Sequence, residues 1–171
     1  MEKVNVKNLV ISAILAAMVI VSIFFIHIPM IGQGYIHIGD SFILLGALLG
    51  PMYGFLVGGI GGMLGDVLTG YAVYAPWTLI IHGLQGVLMA LVVIRVTNLN
   101  LIKFFIFGLI ISTFTVVLGY AIVEYLLSGR QMAMALATVP INFLQVTIGS
   151  AIGAALYAPV KKLLSLRITT E

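Results

Sequence analysis

The sequence predicts an all-α integral membrane protein, a bundle of six transmembrane helices in which helices 2 and 3 are short and rich in glycine. Of the 171 residues, 62% are hydrophobic and 8% are charged, whereas soluble domains carry about 25% charged residues. Inside a bilayer every backbone N–H and C=O must pair within the protein, which allows only helices or a closed barrel. The apolar runs are long and unbroken, unlike the alternating segments of barrel strands, so helices are predicted.

Composition also excludes several classes of function. The chain has no cysteine, so disulfides, thiolate metal sites and cysteine nucleophiles are excluded. The three histidines, His27, His37 and His82, are scattered without metal-ligand spacing. The sequence has no extended basic run, so a nucleic-acid partner is not expected. We therefore treat residues 1–171 as one membrane domain and expect no metal, no cofactor and no enzymatic activity.

Four spans follow from runs of about 20 apolar residues. The first, Asn8–Ile26, is long enough to remain as a helix and is not read as a cleaved signal; the polar loop His27–Gly39 follows it. Pro76–Ile94 opens with a proline, which suits a first helical turn. Lys103–Tyr125 and Ala135–Val160 are the last two spans.

The stretch Asp40–Asp66 is the ambiguous segment. As one helix of 27 residues it would reach about 40 Å, too long for a single span, and Gly50-Pro51 in its middle is a turn signal. Two short helices place both termini on one side, with a set of basic residues predicted to face the cytoplasm: Lys3, Lys7, Arg95, Lys103, Lys161, Lys162 and Arg167. Only Arg130 then lies outside. One helix would split the basic residues between the two sides, against the positive-inside rule, so two helices are predicted.

Polar side chains within the spans are few, and each is a candidate for binding. His82 and Gln85 lie three residues apart on one helix face, and Asn142 and Gln145 do the same on the last helix. Glu124 lies near the outer end of its span. An ionisable group at such a position is a functional hypothesis. The alternatives left open are an interfacial Glu124 and interhelical hydrogen bonds without function.

The second outer loop, Asp66–Ala75, is rich in aromatic residues. Tyr71, Tyr74 and the nearby Trp77 fit either an interfacial aromatic belt or a stacking wall for a flat ligand. His37 and Asp66 complete the predicted binding set, although Asp66 could instead end its helix. Together these groups predict an outward hollow for a small neutral or weakly basic aromatic heterocycle.

Two further interpretations concern local structure. Asp40 precedes an apolar run and is interpreted as an N-cap. On the first helix, Ala13, Ala16 and Ala17 form a patch of small residues against which another helix can dock closely.

Specific runs of sequence carry a family resemblance: Ile38-Gly39-Asp40 through Gly50-Pro51, Gly65-Asp66-Val67-Leu68-Thr69-Gly70, and Trp77-Thr78-Leu79-Ile80-Ile81-His82-Gly83-Leu84-Gln85-Gly86. With the alanine patch on helix 1, the chain resembles the substrate-binding S component of an energy-coupling factor (ECF) transporter. Within that family it is most similar to members assigned to hydroxymethylpyrimidine, the thiamine precursor. Members of the pyridoxine type come next in similarity.

The resemblance implies a vitamin importer of the cell membrane, with both termini in the cytoplasm. The vitamin binds on the outer face, and the loops after helices 1 and 3 close over it. A membrane coupling (T) protein and two ABC-type ATPases supply the energy, and the patch around Ala13 and Ala17 is the implied docking face. Glu2 stands where the nickel and cobalt members have histidine, so a metal cargo is not expected.

Two functions of other classes stay open. A stand-alone proton-coupled secondary transporter would use Glu124 or Asp66 as its proton site. A scaffold subunit would bind no small molecule at all. The sequence contains no Walker A motif, so ATP hydrolysis by a P-loop mechanism is excluded.

Overall fold

A computed structural model describes residues 5–26, 28–29 and 35–166. Within that part of the chain, eight α-helices account for nearly all the structure: α1 (Val6–Phe25), α2 (Asp40–Gly46), α3 (Pro51–Phe55), α4 (Gly61–Thr69), α5 (Ala75–Arg95), α6 (Leu101–Ser112), α7 (Leu118–Leu127) and α8 (Met132–Leu166). Two short antiparallel strands, β1 (Ile28–Pro29) and β2 (Tyr35–Ile36), pair in the first predicted outer loop. Residue 27 and residues 30–34 of that loop lie outside the described residues.

Some α-helices join end to end through other helical turns. A π-helical segment, Leu56–Ile60, links α3 to α4, and another, Thr113–Val117, links α6 to α7. Five continuous stretches of the described chain are long and apolar enough to cross a membrane: Val6–Phe25, Pro51–Thr69, Ala75–Arg95, Leu101–Leu127 and Met132–Leu164. Large apolar side chains such as Phe25 and Phe114 are exposed on the outside of the bundle, as a lipid-facing surface requires.

The predicted count of six spanning helices is not confirmed. The remaining predicted span, helix 2, corresponds to α2 with the 3₁₀ turn Ala47–Leu49, which together cover only Asp40–Leu49. At 1.5 Å per residue it rises about 15 Å, about half the thickness of the hydrocarbon core. Helix 2 is therefore short, as predicted.

The prediction that helix 3 is also short is wrong. The helical stretch from Pro51 runs for 19 residues to Thr69, past Asp66, which lies inside the last helix of that stretch. The helix ends at Gly70, which adopts a left-handed conformation with φ of 90°. Glycine adopts that conformation without steric cost, so the helix ends one turn later than the sequence interpretation placed it.

The chain doubles back at Gly50-Pro51, as predicted. Gly50 has φ of 116°, a conformation that L-residues with a Cβ rarely adopt. Pro51 follows as the first residue of α3, where the missing N–H costs no helical hydrogen bond. The two residues thus end one helix and begin the next.

The turn at Gly50 brings both ends of the described chain to one end of the bundle. Near the start of α1, the backbone N–H of Asn5 donates to the Tyr53 hydroxyl at 3.0 Å. Near the end of α8, Leu164 lines the same cleft as Leu48 and Val96. We call this the basic end, because five basic residues of the described chain belong to it: Lys7, Arg95, Lys103, Lys161 and Lys162. That it faces the cytoplasm stays a prediction.

Close backbone contact joins the second and third of the five spanning stretches, Pro51–Thr69 and Ala75–Arg95. A Cβ on Gly54 would overlap the backbone of Gly86, and a Cβ on Gly58 would overlap the carbonyl of His82. Small residues allow such approach in membrane helix pairs. The contact places His82 and Gln85, on α5, at the centre of the bundle.

Candidate ligand-binding site

A polar cavity lies at the end of the bundle opposite the basic end. It contains about 480 Å³ of free space, counting the part open to solvent. The cavity is lined by β2 and the segment after it, the end of α4, the residue before α5, α7 and the first half of α8. The nine lining residues are Tyr35, His37, Asp66, Tyr74, Tyr120, Glu124, Thr138, Asn142 and Gln145. Six of them belong to the predicted binding set.

Glu124 is a buried carboxyl group on the cavity wall, with only 5% of its surface exposed. The Tyr74 hydroxyl donates to its Oε2 at 2.9 Å, and the described residues provide no other side-chain donor to it. Burial raises the pKa of Tyr74 above its ordinary value, and the hydrogen bond to Glu124 raises it further. Tyr74 therefore stays a neutral donor, and Glu124 keeps acceptor capacity on the cavity side.

Asp66 is held more fully than Glu124. The Tyr35 hydroxyl donates to Oδ1 of Asp66 and the Thr78 hydroxyl donates to Oδ2. Because the Thr78 proton is used there, the Tyr120 hydroxyl, 2.6 Å away, donates to Thr78. Burial raises the pKa of Tyr35 above its ordinary value, and the negative charge of Asp66 raises this pKa further. Asp66 thus orders the tyrosines that line the cavity.

Asp40 lies beneath the cavity floor and is fully buried. Gln85 donates from Nε2 to its Oδ1 at 2.7 Å, and Gln145 donates from Nε2 to its Oδ2 at 2.8 Å. The interpretation of Asp40 as an N-cap is wrong, since Gly39 is the cap and no side chain caps the helix. The carboxyl group instead joins α2 to α5 and α8, because both long helices present an amide to it.

His82 and Gln85 lie in this buried layer and do not line the cavity. His82 Nδ1 is 2.7 Å from Gln85 Oε1. Gln85 Nε2 is already donating to Asp40 and to the Ser112 hydroxyl. The imidazole therefore donates to the amide oxygen through Nδ1. His82 Nε2 has no partner among the described residues.

The aromatic residues of the second outer loop divide into two groups. Tyr74 lines the cavity. Tyr71 packs edge-on against Tyr35 at 4.7 Å between ring centres, and Trp77 packs on the apolar cluster that contains Val116. Of the three residues of the predicted stacking wall, Tyr74 alone lines the cavity. Tyr71 and Trp77 instead pack against other side chains of the bundle.

Three lining residues were not predicted as ligands: Tyr35, Tyr120 and Thr138. Helical spacing could have found two of them. Tyr120 lies one turn before Glu124, and Thr138 lies four residues before Asn142 on the same face. Tyr35 carried no such signal, because it reaches the cavity through the strand pair.

Asn142 is the other lining group with unused capacity. It is buried to 6% exposure, and its amide makes no hydrogen bond within the described part of the chain. Gln145, one turn deeper, already has two partners within the protein, since Nε2 donates to Asp40 and Oε1 accepts the backbone N–H of His37 at 3.2 Å. No lysine or arginine is among the cavity's described lining residues, and no three His, Asp or Glu side chains of the described chain cluster as metal ligands.

The predicted docking patch on α1 is partly exposed. Ala13 and Ala17 are exposed, whereas Ala16 is half-buried and faces Gly61. Ala16 therefore belongs to the contact between α1 and α4. Ala13 and Ala17 are small residues exposed on the outside of α1.

Comparison with known proteins places the chain in a family. It is 38% identical over 119 residues to an uncharacterized protein of Pyrococcus woesei, across 68% of this chain and 78% of that relative. A family model described as ECF-type riboflavin transporter, S component, matches residues 3–162. Such S components are substrate-binding subunits of transporters and not enzymes. The chain belongs to the family of ECF-type riboflavin transporter S components.

Proposed function

We propose that this S component captures a single-ring nitrogen heterocycle bearing an amino group, of the hydroxymethylpyrimidine type, in the polar cavity. The observation that carries the proposal is Glu124, a buried carboxyl group on the cavity wall that accepts one hydrogen bond, from Tyr74. A carboxyl group in this state favours a ligand that brings donors or positive charge.

An aminopyrimidine supplies donors in the geometry that a carboxylate accepts. Its exocyclic amino group and protonated ring nitrogen are adjacent and point the same way, so they can form two parallel hydrogen bonds with one carboxylate, as a guanidinium does. Asn142, with its unused amide, suits the remaining ring nitrogen or a hydroxymethyl group. Tyr74 and Tyr120 provide ring surface for the flat face of the ligand.

Cavity size also favours a small cargo. Its free space of about 480 Å³ includes the open mouth, so the space enclosed by the lining side chains is smaller. A single ring needs less of that space than the three fused rings and sugar-alcohol chain of riboflavin. Riboflavin is nevertheless the second candidate, because the matching family model is described by that vitamin. Pyridoxine, also a single ring, is the third.

Calorimetric titration of the purified protein tests the cargo. Hydroxymethylpyrimidine, pyridoxine and riboflavin are each titrated into wild-type protein and into Glu124→Gln. The substitution keeps the shape of the side chain but removes the charge, so affinity for the aminopyrimidine should fall about tenfold or more. Affinity for a neutral analogue without the amino group should change much less.

Tyr125→Phe is the matched control, because Tyr125 neighbours Glu124 on α7 but is not among the cavity-lining residues. It should bind as the wild type does. Tight riboflavin binding with no pyrimidine binding would transfer the assignment to riboflavin. Absence of binding by all three ligands in a folded protein would favour the scaffold alternative.

Import then depends on partners, which membership in the family implies: a membrane coupling protein and ATPase subunits. We assign their docking face to Ala13 and Ala17, the exposed small residues of α1. Ala13→Leu with Ala17→Leu should abolish uptake of labelled cargo into cells while leaving its affinity in detergent unchanged, because the added side chains block close helix approach.

Leucine substitutions at two other exposed alanines, Ala155 and Ala158 on α8, are the matched control and should leave uptake intact. Loss of binding in the α1 variant would indicate misfolding and contradict the docking role. Uptake that persists without the ATPases and stops when the proton gradient is collapsed would favour the proton-coupled alternative.

A further inference from the structure

A second cavity, distinct from the polar one, opens at the basic end of the bundle. This basic-end cleft contains about 860 Å³ of free space, counting the part open to solvent. It lies between the turn after α2, the connection from α5 to α6 and the last turns of α8. Its walls are mainly apolar, and three polar residues complete the lining: Leu48, Val93, Val96, Leu99 and Leu164, with Asn98, Tyr157 and Lys161.

Tyr157 connects the apolar wall to the charged rim of this cleft. Its ring stacks on Phe104 with 4.6 Å between ring centres, and its hydroxyl donates to the Leu99 carbonyl at 2.9 Å. The Lys161 ammonium donates to the same hydroxyl at 2.9 Å and lies 5.3 Å from the ring centre. The lysine head group is thus held at the rim, where its stem covers apolar surface.

The Lys161 ammonium has no carboxyl partner among the described residues, and Arg95 and Lys103 belong to the same end of the bundle. The acidic residues of the described chain, Asp40, Asp66 and Glu124, are all buried in the Asp40 layer or the polar cavity. The rim of the basic-end cleft is therefore positively charged while its interior is apolar.

We propose that the basic-end cleft binds an anionic phospholipid, with one acyl chain between the apolar walls and the phosphate at Lys161. A phospholipid is the amphiphile whose two halves match this arrangement, and the bilayer presents it at high local concentration. Basic pockets between membrane helices bind anionic head groups in this way. The proposal is independent of the vitamin cargo, which occupies the other end of the bundle.

Native mass spectrometry of delipidated protein tests the site. Phosphatidylglycerol and phosphatidylcholine with identical acyl chains are titrated into wild type, Lys161→Ala and Arg130→Ala. Wild type should bind one phosphatidylglycerol more tightly than phosphatidylcholine. Lys161→Ala should lose about fivefold in affinity for phosphatidylglycerol alone, the typical effect of one basic residue. Arg130→Ala removes the same charge from outside the cleft and should have no effect.

The acyl chain is tested separately, since a free anion could also bind the lysine. Glycerol 3-phosphate should not displace the lipid, and Val96→Trp, which fills the cleft, should weaken phosphatidylglycerol binding. Because the natural chain has no cysteine, Leu164→Cys can report occupancy by maleimide labelling. It should be protected in nanodiscs of phosphatidylglycerol and labelled in nanodiscs of phosphatidylcholine.

Several outcomes would overturn the proposal. Equal affinity for the two lipids, or an equal loss in Lys161→Ala and Arg130→Ala, would reduce the effect to general charge attraction. Displacement by glycerol 3-phosphate would leave an anion site without an acyl chain. Protection of the cysteine at position 164 only when partner subunits are present would assign the cleft to a protein. Thermal unfolding without lipid checks that each variant is folded.

Discussion

Two buried carboxyl groups of this protein, those of Asp40 and Glu124, differ in how many hydrogen bonds they accept from other side chains. Asp40 accepts from Gln85 and Gln145, one amide on each carboxyl oxygen, and these residues with His82 and Ser112 form what we call the Asp40 network. Glu124 is equally part of the bundle interior, yet among the described residues only the Tyr74 hydroxyl donates to it. Glu124 also lines the polar cavity.

This difference in hydrogen bonding distinguishes a carboxyl group that stabilises the fold from one that is available to a ligand. A buried carboxyl group whose acceptors are satisfied within the protein has little left to offer a ligand, and its partners depend on it in turn. A carboxyl group with capacity to spare is stabilised when a donor arrives. The Asp40 network therefore holds the helices together, whereas Glu124 and Asn142 keep hydrogen-bonding capacity that the proposed ligand would use.

The largest effect should come from breaking the Asp40 network. Asp40→Ala leaves the Gln145 amide without its acceptor and takes one of two acceptors from the Gln85 amide, inside a bundle where water cannot replace them. The free energy of unfolding should fall by about 3 kcal/mol or more. Thermal or denaturant unfolding in detergent measures the loss, and bound ligand should not restore full stability.

Ser150→Ala is the matched control for that substitution. Ser150 is also fully buried on α8, but its hydroxyl has no partner among the described residues. Removing an unpaired polar atom costs nothing in lost hydrogen bonds, so stability should be unchanged or slightly higher. If Asp40→Ala were as stable as Ser150→Ala but failed to bind the cargo, Asp40 would belong to the binding site and the contrast with Glu124 would fail.

Much of the fold could be predicted from local patterns. Hydropathy located the long spans to within a few residues, because each needs about 20 apolar residues. Gly50-Pro51 predicted the reversal, because the two residues together exclude a continuous helix. Helical spacing placed Asn142 and Gln145 on one face. The end of helix 3 was misplaced because Asp66 was taken as a stop, although the left-handed Gly70 provides it.

The role of Asp40 could not be predicted in the same way. Its partners are 45 and 105 residues distant in sequence, whereas the N-cap interpretation considered only its nearest neighbours. The pairing of Tyr35 with Asp66 is likewise a contact between distant segments. Polar residues within the spans were identified as a group. Which of them pair with each other and which face the cavity depends on how the helices pack.

A smaller effect should come from Tyr74, whose hydroxyl is the donor to Glu124 in the described part of the chain. Tyr74→Phe removes this hydrogen bond, so the free energy of unfolding should fall by about 1 kcal/mol at neutral pH. Burial raises the pKa of Tyr74 above its ordinary value of 10.0. A raised pKa means that the stabilisation is complete below pH 10 and is lost as the pH rises beyond it. Unfolding at pH 7 to 9 and at pH 10.5 to 11 measures both effects.

Wild type should therefore lose its advantage over Tyr74→Phe above about pH 10. Tyr125→Phe is the control, because the Tyr125 hydroxyl makes no hydrogen bond in the described part of the chain, so its stability should follow the wild type at each pH. In Tyr74→Phe the carboxyl group of Glu124 has lost its donor inside the protein, so a basic heterocycle should recover part of the lost stability on binding. If Tyr74→Phe were as stable as wild type without ligand, Glu124 would not need this donor. The proposed difference between Glu124 and Asp40 would then depend only on the position of Glu124 at the cavity.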